Sequence, residues 1–387
     1  MKTNKKPAVL TAVLFFITNT IYAQSANSME ELARDALRRL DEALSGMAAA
    51  TATAANASPQ NPAQSTRGGQ EPSWVLDPYT VYPRDRYLAA IGFASNRAEA
   101  EKKALAALSA IFGQSIQADF SAVTMYSEAV SKGIVSSSGT TNIRDTISTS
   151  TSFDTLVSAE IGNVWDDGRG TVYIAAYLDK ERAVTVYGNM IHTNLKNIEK
   201  LTTMTAAEKN TLDGYARYKL AALIAGINAK HANVIAQCGG PTAASLNLPG
   251  ADVLNMEASN IIKNVTVIVS VNNDSNNRIR DAFSRVISAE GLRTRGGSPP
   301  YTLEVNVDMS EVSFPNNNNR FCRFTVSAEL IENSTDSNLL PFSFTDRVGY
   351  PTYEGAQAAA FMQAEKLIGE KYPAVFRTYL EGLLPQK

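Results

Sequence analysis

The apolar residues of this chain switch repeatedly between a period of two and a period near 3.6, and that switching limits the fold more than any other feature. Val265, Val267, Val269 and Val271 alternate with other residues, as one face of a strand does. Ile279, Ala282, Phe283, Val286 and Ile287 then recur at helical spacing, and Gly291 ends the helix. Tyr301, Leu303, Val305, Val307 and Met309 alternate again. After a tip at Pro315 to Asn319, the residues Cys322, Phe324, Val326, Ala328 and Leu330 bring the chain back. A further strand is expected over about 342–348, and a helix over 352–384 with a break or kink at Pro373. Slipping a strand by one residue would turn its apolar set to water, so the order β-α-β-β-β-α is well specified for residues 260–387.

A similar order appears earlier, in residues 72–179. Arg86 to Phe93 reads as a strand. Asn96 caps a helix with Glu99 three residues on, and Ala104, Leu105, Leu108, Ile111 and Phe112 form its stripe before Gly113. Ile116 to Thr124, a Gly/Ser-rich tip at Lys132 to Thr141, and Asn142 to Ser158 predict an extended hairpin arm. Its hydroxyl-rich faces either pack at home or pair with another chain by strand addition. Two further strands flank the turn Trp165-Asp-Asp-Gly-Arg-Gly170. Residues 180–240 predict an antiparallel helical hairpin, with a capping box at Thr205 and Glu208 and a stop at Gly239-Gly240-Pro241. Residues 241–259 read as a connector. The expected fold class is α+β, with two small, mainly antiparallel α/β sandwich domains joined by the helical hairpin.

The first 23 residues have the layout of a secretory signal peptide: Lys2, Lys5 and Lys6, then a short apolar run, then Ala23 before the expected cut. No Cys lies near that cut to take a lipid. Residues 24–47 predict an amphipathic helix with a capping box at Ser28 and Glu31. Ala33, Leu37, Leu40, Leu44 and Met47 recur at spacings of four and three, a coiled-coil seam. The helix either docks on its own domain or associates through Leu37, Leu40, Leu44 and Met47, with a copy of itself or with a membrane surface. Residues 48–71 lack an apolar period and read as a disordered linker.

Function classes follow from what the chemistry needs. Lys+Arg 36 against Asp+Glu 38 leaves no basic excess, so a nucleic-acid partner is not expected. Only two histidines exist, His192 and His231, and both lie on predicted helices, so a His-assisted triad is not expected. Metal ligands are not clustered, Asp166-Asp167-Gly168 is too short for a calcium loop, and no phosphate-cradling glycine motif appears; the reading is therefore no cofactor and no metal. Cys238 and Cys322 are a candidate disulfide in an oxidising compartment. No mature segment is long and apolar enough to span a bilayer.

Pro72-Ser-Trp74, then Tyr87-Leu-Ala-Ala-Ile-Gly-Phe-Ala-Ser95, then Ala98, Ala100 and Ala104 resemble the start of the Lpp-twenty lipoprotein family of bacterial envelopes. Trp165 to Tyr173 and Ala175-Ala-Tyr-Leu-Asp179 resemble that family's closing turn and strand. The N-terminal domain of flagellar assembly protein T has a similar build. Residues 260–384 are similar in outline to the small α/β domains of TolB amino-terminal or curli-secretion type. The first resemblance implies a periplasmic or outer-membrane-associated scaffold without active-site residues. The expectation is an exported, non-catalytic envelope protein that binds other envelope components or itself, with peripheral outer-membrane contact in reach. Its rivals are a periplasmic hydrolase using a carboxylate pair and a small-ligand or peptidoglycan-binding module.

Overall fold

The computed structural model of the chain describes residues 29, 31–46, 65–112, 156, 158–274, 276–296, 299–315 and 318–383. The expected signal peptide 1–23, the Ser28 cap, Met47, the linker as far as residue 64 and the hairpin arm over 116–155 lie outside these residues. The chain divides into two compact units, one taking residues up to 204 and 217–255, the other 205–216 and 256–386. The fold is α+β, and each unit carries a four-stranded mixed sheet.

In the first unit the strands are β1 (Ser65–Arg67), β2 (Tyr87–Ala94), β3 (Ala159–Asp166) and β4 (Val172–Asp179), in spatial order β1-β3-β4-β2. All pairings are antiparallel except β1 with β3. β1 lies inside the stretch read as linker. Three exposed residues held by main-chain pairing leave no apolar period to read. Helix α1 spans 31–46, α2 is Ser73–Leu76 and α3 is Arg97–Ala110. Asn96 caps α3, its Oδ1 accepting the Glu99 N–H at 2.9 Å. Ala100, Ala104, Leu108 and Phe112 then pack on Ala94, Ile174, Ala176 and Leu178 of the sheet. Gly92 sets how close α3 can come. A Cβ there would lie 2.1 Å from the Ala104 nitrogen and 2.4 Å from the Ala100 carbonyl oxygen. Glycine in the strand and alanines in the helix are what two touching backbones require.

Asp179 ends β4 and caps α4 (Lys180–Thr202), accepting from the Glu181 and Arg182 N–H groups at 3.1 Å. The capping box at Thr205 and Glu208 forms, but on a one-turn helix α5 (Ala206–Lys209); α6 (Leu212–Gln237) starts afresh. Its first N–H is taken by the Tyr301 hydroxyl at 3.0 Å. Within the first unit α4 and α6 run antiparallel, with Asn194 opposite Asn228 and Tyr187 opposite His231. Gly239, at φ +87°, and Gly240 close α6 by donating to the Ala236 and Ile235 carbonyls at 3.1 and 2.9 Å. The expected connector 241–259 contains most of a helix, α7 (Ala251–Ile262), which buries Leu254, Ala258 and Ile261.

In the second unit β5 (Val267–Asn272), β6 (Tyr301–Val312), β7 (Arg320–Glu332) and β8 (Ser337–Tyr350) lie in that order, with only β5 and β6 parallel. Helices α8 (Arg278–Ala289) and α9 (Tyr353–Gly382) cover one face. Glu365 of α9 takes both Arg278 and Arg285 of α8, at 3.2 and 2.6 Å. The expected break at Pro373 does not end α9, which continues to Gly382. Ala356, Ala360, Ala364, Ile368, Tyr372 and Phe376 are all fully buried along it, and that packing outweighs one missing N–H. No helix among the described residues is long and apolar enough to cross a membrane.

Candidate interaction face

Strand alternation gives the first sheet a second face, opposite α3, and this face is aromatic. β2 contributes Tyr87 and Phe93, β4 contributes Tyr173 and Tyr177, and β3 contributes Glu160 and Trp165. The segment before β2 lays Trp74, Tyr79 and Tyr82 against it. Tyr82 is fully buried. Its hydroxyl donates to Asn163 Oδ1 at 2.9 Å and accepts the Asn163 N–H at 3.0 Å, where β3 bulges. Gly162 makes the room, since a Cβ there would stand 1.9 Å from the Tyr82 oxygen.

Tyr82 stacks on Tyr177 at 4.8 Å, and Tyr87 stands edge-on to both at 6.0 and 5.6 Å. The Tyr177 hydroxyl donates to Glu160 Oε2 at 2.6 Å, while Arg182 takes the other carboxylate oxygen. Burial, then the hydrogen bond to Glu160 and its charge, push Tyr177 well above the usual phenol range; burial also raises Tyr82 and Tyr87. These tyrosines therefore stay protonated, and the Tyr82 and Tyr177 hydroxyls act as donors. Arg86 pairs with Asp179 at 3.2 Å beside them.

The other end of the face is a row of three rings on three neighbouring strands. Trp165, Tyr173 and Phe93 follow one another at 5.3 and 5.8 Å. Phe93 is 59% exposed, and the Lys103 ammonium lies 5.9 Å from its ring. Leu76, at the end of α2, is 83% exposed, and Arg84 covers the Tyr79 ring at 3.8 Å. Such a surface can bind by apolar and ring contact, with amphipathic rims supplied by tyrosine and arginine. None of Tyr82, Tyr87, Tyr177, Phe93 or Leu76 is singled out by a motif of binding chemistry. The crowding of Tyr79, Tyr82 and Tyr87 into one short segment is the signal that points to them.

The residues singled out from sequence lie elsewhere. Cys238 and Cys322 are both free and buried, one in each unit. Burial pushes the Cys238 thiol up to about 11 and raises Cys322 as well. Leu40 is fully buried in the core of the first unit, and Leu37 and Leu44 pack half-buried against that core. At the surface of α1, Arg34 reaches Glu199 at 2.8 Å, and Asp35 accepts from Arg38, Asn247 and Arg39 and is held near 2 by those bonds. Ala33, Leu37, Leu40 and Leu44 of the seam are thus buried or half-buried in the chain's own fold. His192 sits 3.4 Å from Asp41 of α1, and His231 is buried between α4 and α6, its pKa lowered to about 4 by that burial. In the Asp166–Gly170 turn, Asp167 accepts the Arg169 and Thr171 N–H groups at 2.7 and 2.9 Å, which lowers its pKa.

No family model matches the chain. No curated protein matches it either. Solved structures similar to parts of it include a minor lipoprotein from Acinetobacter baumannii, 14% identical, covering 32% of this chain and 97% of that one with a TM-score of 0.24. A secreted protein from Helicobacter pylori is 12% identical, covering 73% of this chain and 97% of that one with a TM-score of 0.35. The Lpp-twenty resemblance therefore rests on its motif residues alone.

Proposed function

We propose that this chain is an exported, non-catalytic protein of the cell envelope that works by binding, as a structural or assembly factor, and that the aromatic face of its first unit is where a partner docks. The observation that carries this reading is the exposure of Phe93, 59%, in ring contact with Tyr173 on a face rich in tyrosine and tryptophan. Binding energy at interfaces concentrates on large side chains such as Trp, Tyr and Arg, and rigid rings lose little rotamer freedom when a partner covers them. The export reading rests on the signal layout of residues 1–23.

The test places a photo-crosslinking amino acid at position 93 or 76 in the full-length protein in its own cells, with exposed Asn338 of the second unit as control. Discrete envelope adducts at 93 and 76, absent at 338, support the proposal. Adducts at the control position alone would reject the face. Turnover of a cell-wall compound by the purified protein, abolished by Glu160→Gln, would reject the non-catalytic reading.

A further inference from the structure

The solvent face of the second sheet, opposite α8 and α9, carries two like-charge pairs at its two ends. Glu304 of β6 stands directly opposite Glu329 of β7. Arg323 of β7 stands directly opposite Arg347 of β8. All four are exposed, and none of them forms an ion pair among the described residues. Like charges in register repel, so each end of the face is destabilised by its own layout. Between the ends lies an uncharged ladder. Thr325 and Thr345 share a hydrogen bond at 2.9 Å, and Ser327 and Ser343 face each other at 3.4 Å. Asp308 is the one further charge, and Asn306 donates to it at 2.7 Å. The basic end also carries rings: Arg347 covers Phe314 at 5.0 Å, and Phe314 stands edge-on to Phe321 at 4.8 Å.

We propose that this face is an isologous docking surface for a second copy of the chain, the arginine pair of each copy meeting the glutamate pair of the other. The layout complements itself under a two-fold axis that lies between the copies and crosses the strands near the serine and threonine rows. Such an axis exchanges the two ends of the face, which is what a symmetric homodimer requires. The geometry is consistent with known sheet packing. Arg323 and Glu329 are six residues apart on β7, or about 20 Å at roughly 3.4 Å per residue. The arginine pair lies on β7 and β8 and the glutamate pair on β6 and β7, an offset of one strand, about 4.8 Å. Bringing the pairs into register then needs the two strand directions to cross by about 27°, close to the roughly 30° at which aligned sheets pack. Because the middle of the face is polar and wet, the association is weak and depends on charge, so it loosens as salt rises. This surface does not involve the aromatic face of the first unit.

Sedimentation of the full-length protein across concentration and salt tests it. A monomer–dimer equilibrium that weakens at least tenfold on going from low to high salt is expected. The variant Arg323→Glu with Arg347→Glu, and the variant Glu304→Arg with Glu329→Arg, should each be folded by circular dichroism and monomeric alone. Mixed, they should form a one-to-one heterodimer, since one face is then wholly acidic and the other wholly basic at its ends. A wild type that stays monomeric at all concentrations overturns the proposal. So does a dimer that survives both exchanges, or a mixture that does not associate.

Discussion

A methyl group at position 92 has nowhere to go. The nearest atoms are the main chain of Ala100 and Ala104, which cannot swing aside as a long side chain would. Gly92→Ala should therefore push α3 off the sheet and lower stability by about 3 kcal/mol, read as a shift in urea midpoint. His231 makes a different prediction, one of pH. Its folded pKa is about 4, below the ordinary value of 6.5, because burial between α4 and α6 disfavours the cation. The unfolded chain therefore binds the proton first as pH falls. Stability is unaffected by this group above about 6.5, declines between 6.5 and 4, and by pH 4 has lost about 3 kcal/mol. Its Nδ1 has no hydrogen-bond partner among the described residues. His231→Leu should flatten that part of the stability curve, measured by denaturation at stepped pH against the parent protein. A variant curve that keeps the parent's slope would show that other groups set it.

At the level of elements, what was legible in the sequence was whatever a local period or cap could encode. The valine alternation at 265–271 gave β5 and the 279–287 spacing gave α8, because each needs only its own residues to face one way. Asn96 and Thr205 sit where caps were expected, since a cap is a contact over two or three residues. β1 was not legible, because its stability comes from β3, about a hundred residues later. The Tyr82 and Asn163 contact, on which the aromatic face depends, likewise joins positions 81 apart. α7 could have been read from Leu254, Ala258 and Ile261, but Pro249-Gly250 and its asparagines masked the period. At Pro373 the helix does not end: a proline removes one helical hydrogen bond, while the flanking Tyr372 and Phe376 are both fully buried. Pro373→Ala restores the N–H that can donate to Gly369. It should raise the stability of the second unit by about 1–3 kcal/mol, seen as a higher melting temperature. A neutral or destabilising result would overturn this prediction.

For the whole molecule, the amphipathic helix near the start separates two ways of using one apolar stripe. A stripe left in water drives association; a stripe placed on a core stabilises the fold that holds it. α1 has Ala33, Ala36 and Leu40 fully buried, with Leu44 lying against Gly188 of α4, so that a Cβ at 188 would come within 2.7 Å of it. Salt bridges at its surface add little, because Arg34 and Arg39 are well exposed; the apolar stripe carries the attachment. Removing residues 28–47 should then leave the mass by light scattering unchanged while the first unit melts earlier, with the loss of several buried side chains at about 1.5–3 kcal/mol each as an upper bound. The same deletion should leave the salt-dependent pairing through Arg323 and Glu329 intact, since those residues belong to the other unit. A fall in mass without a fall in melting temperature would instead assign α1 to association, and the packing of Leu40 would need another purpose.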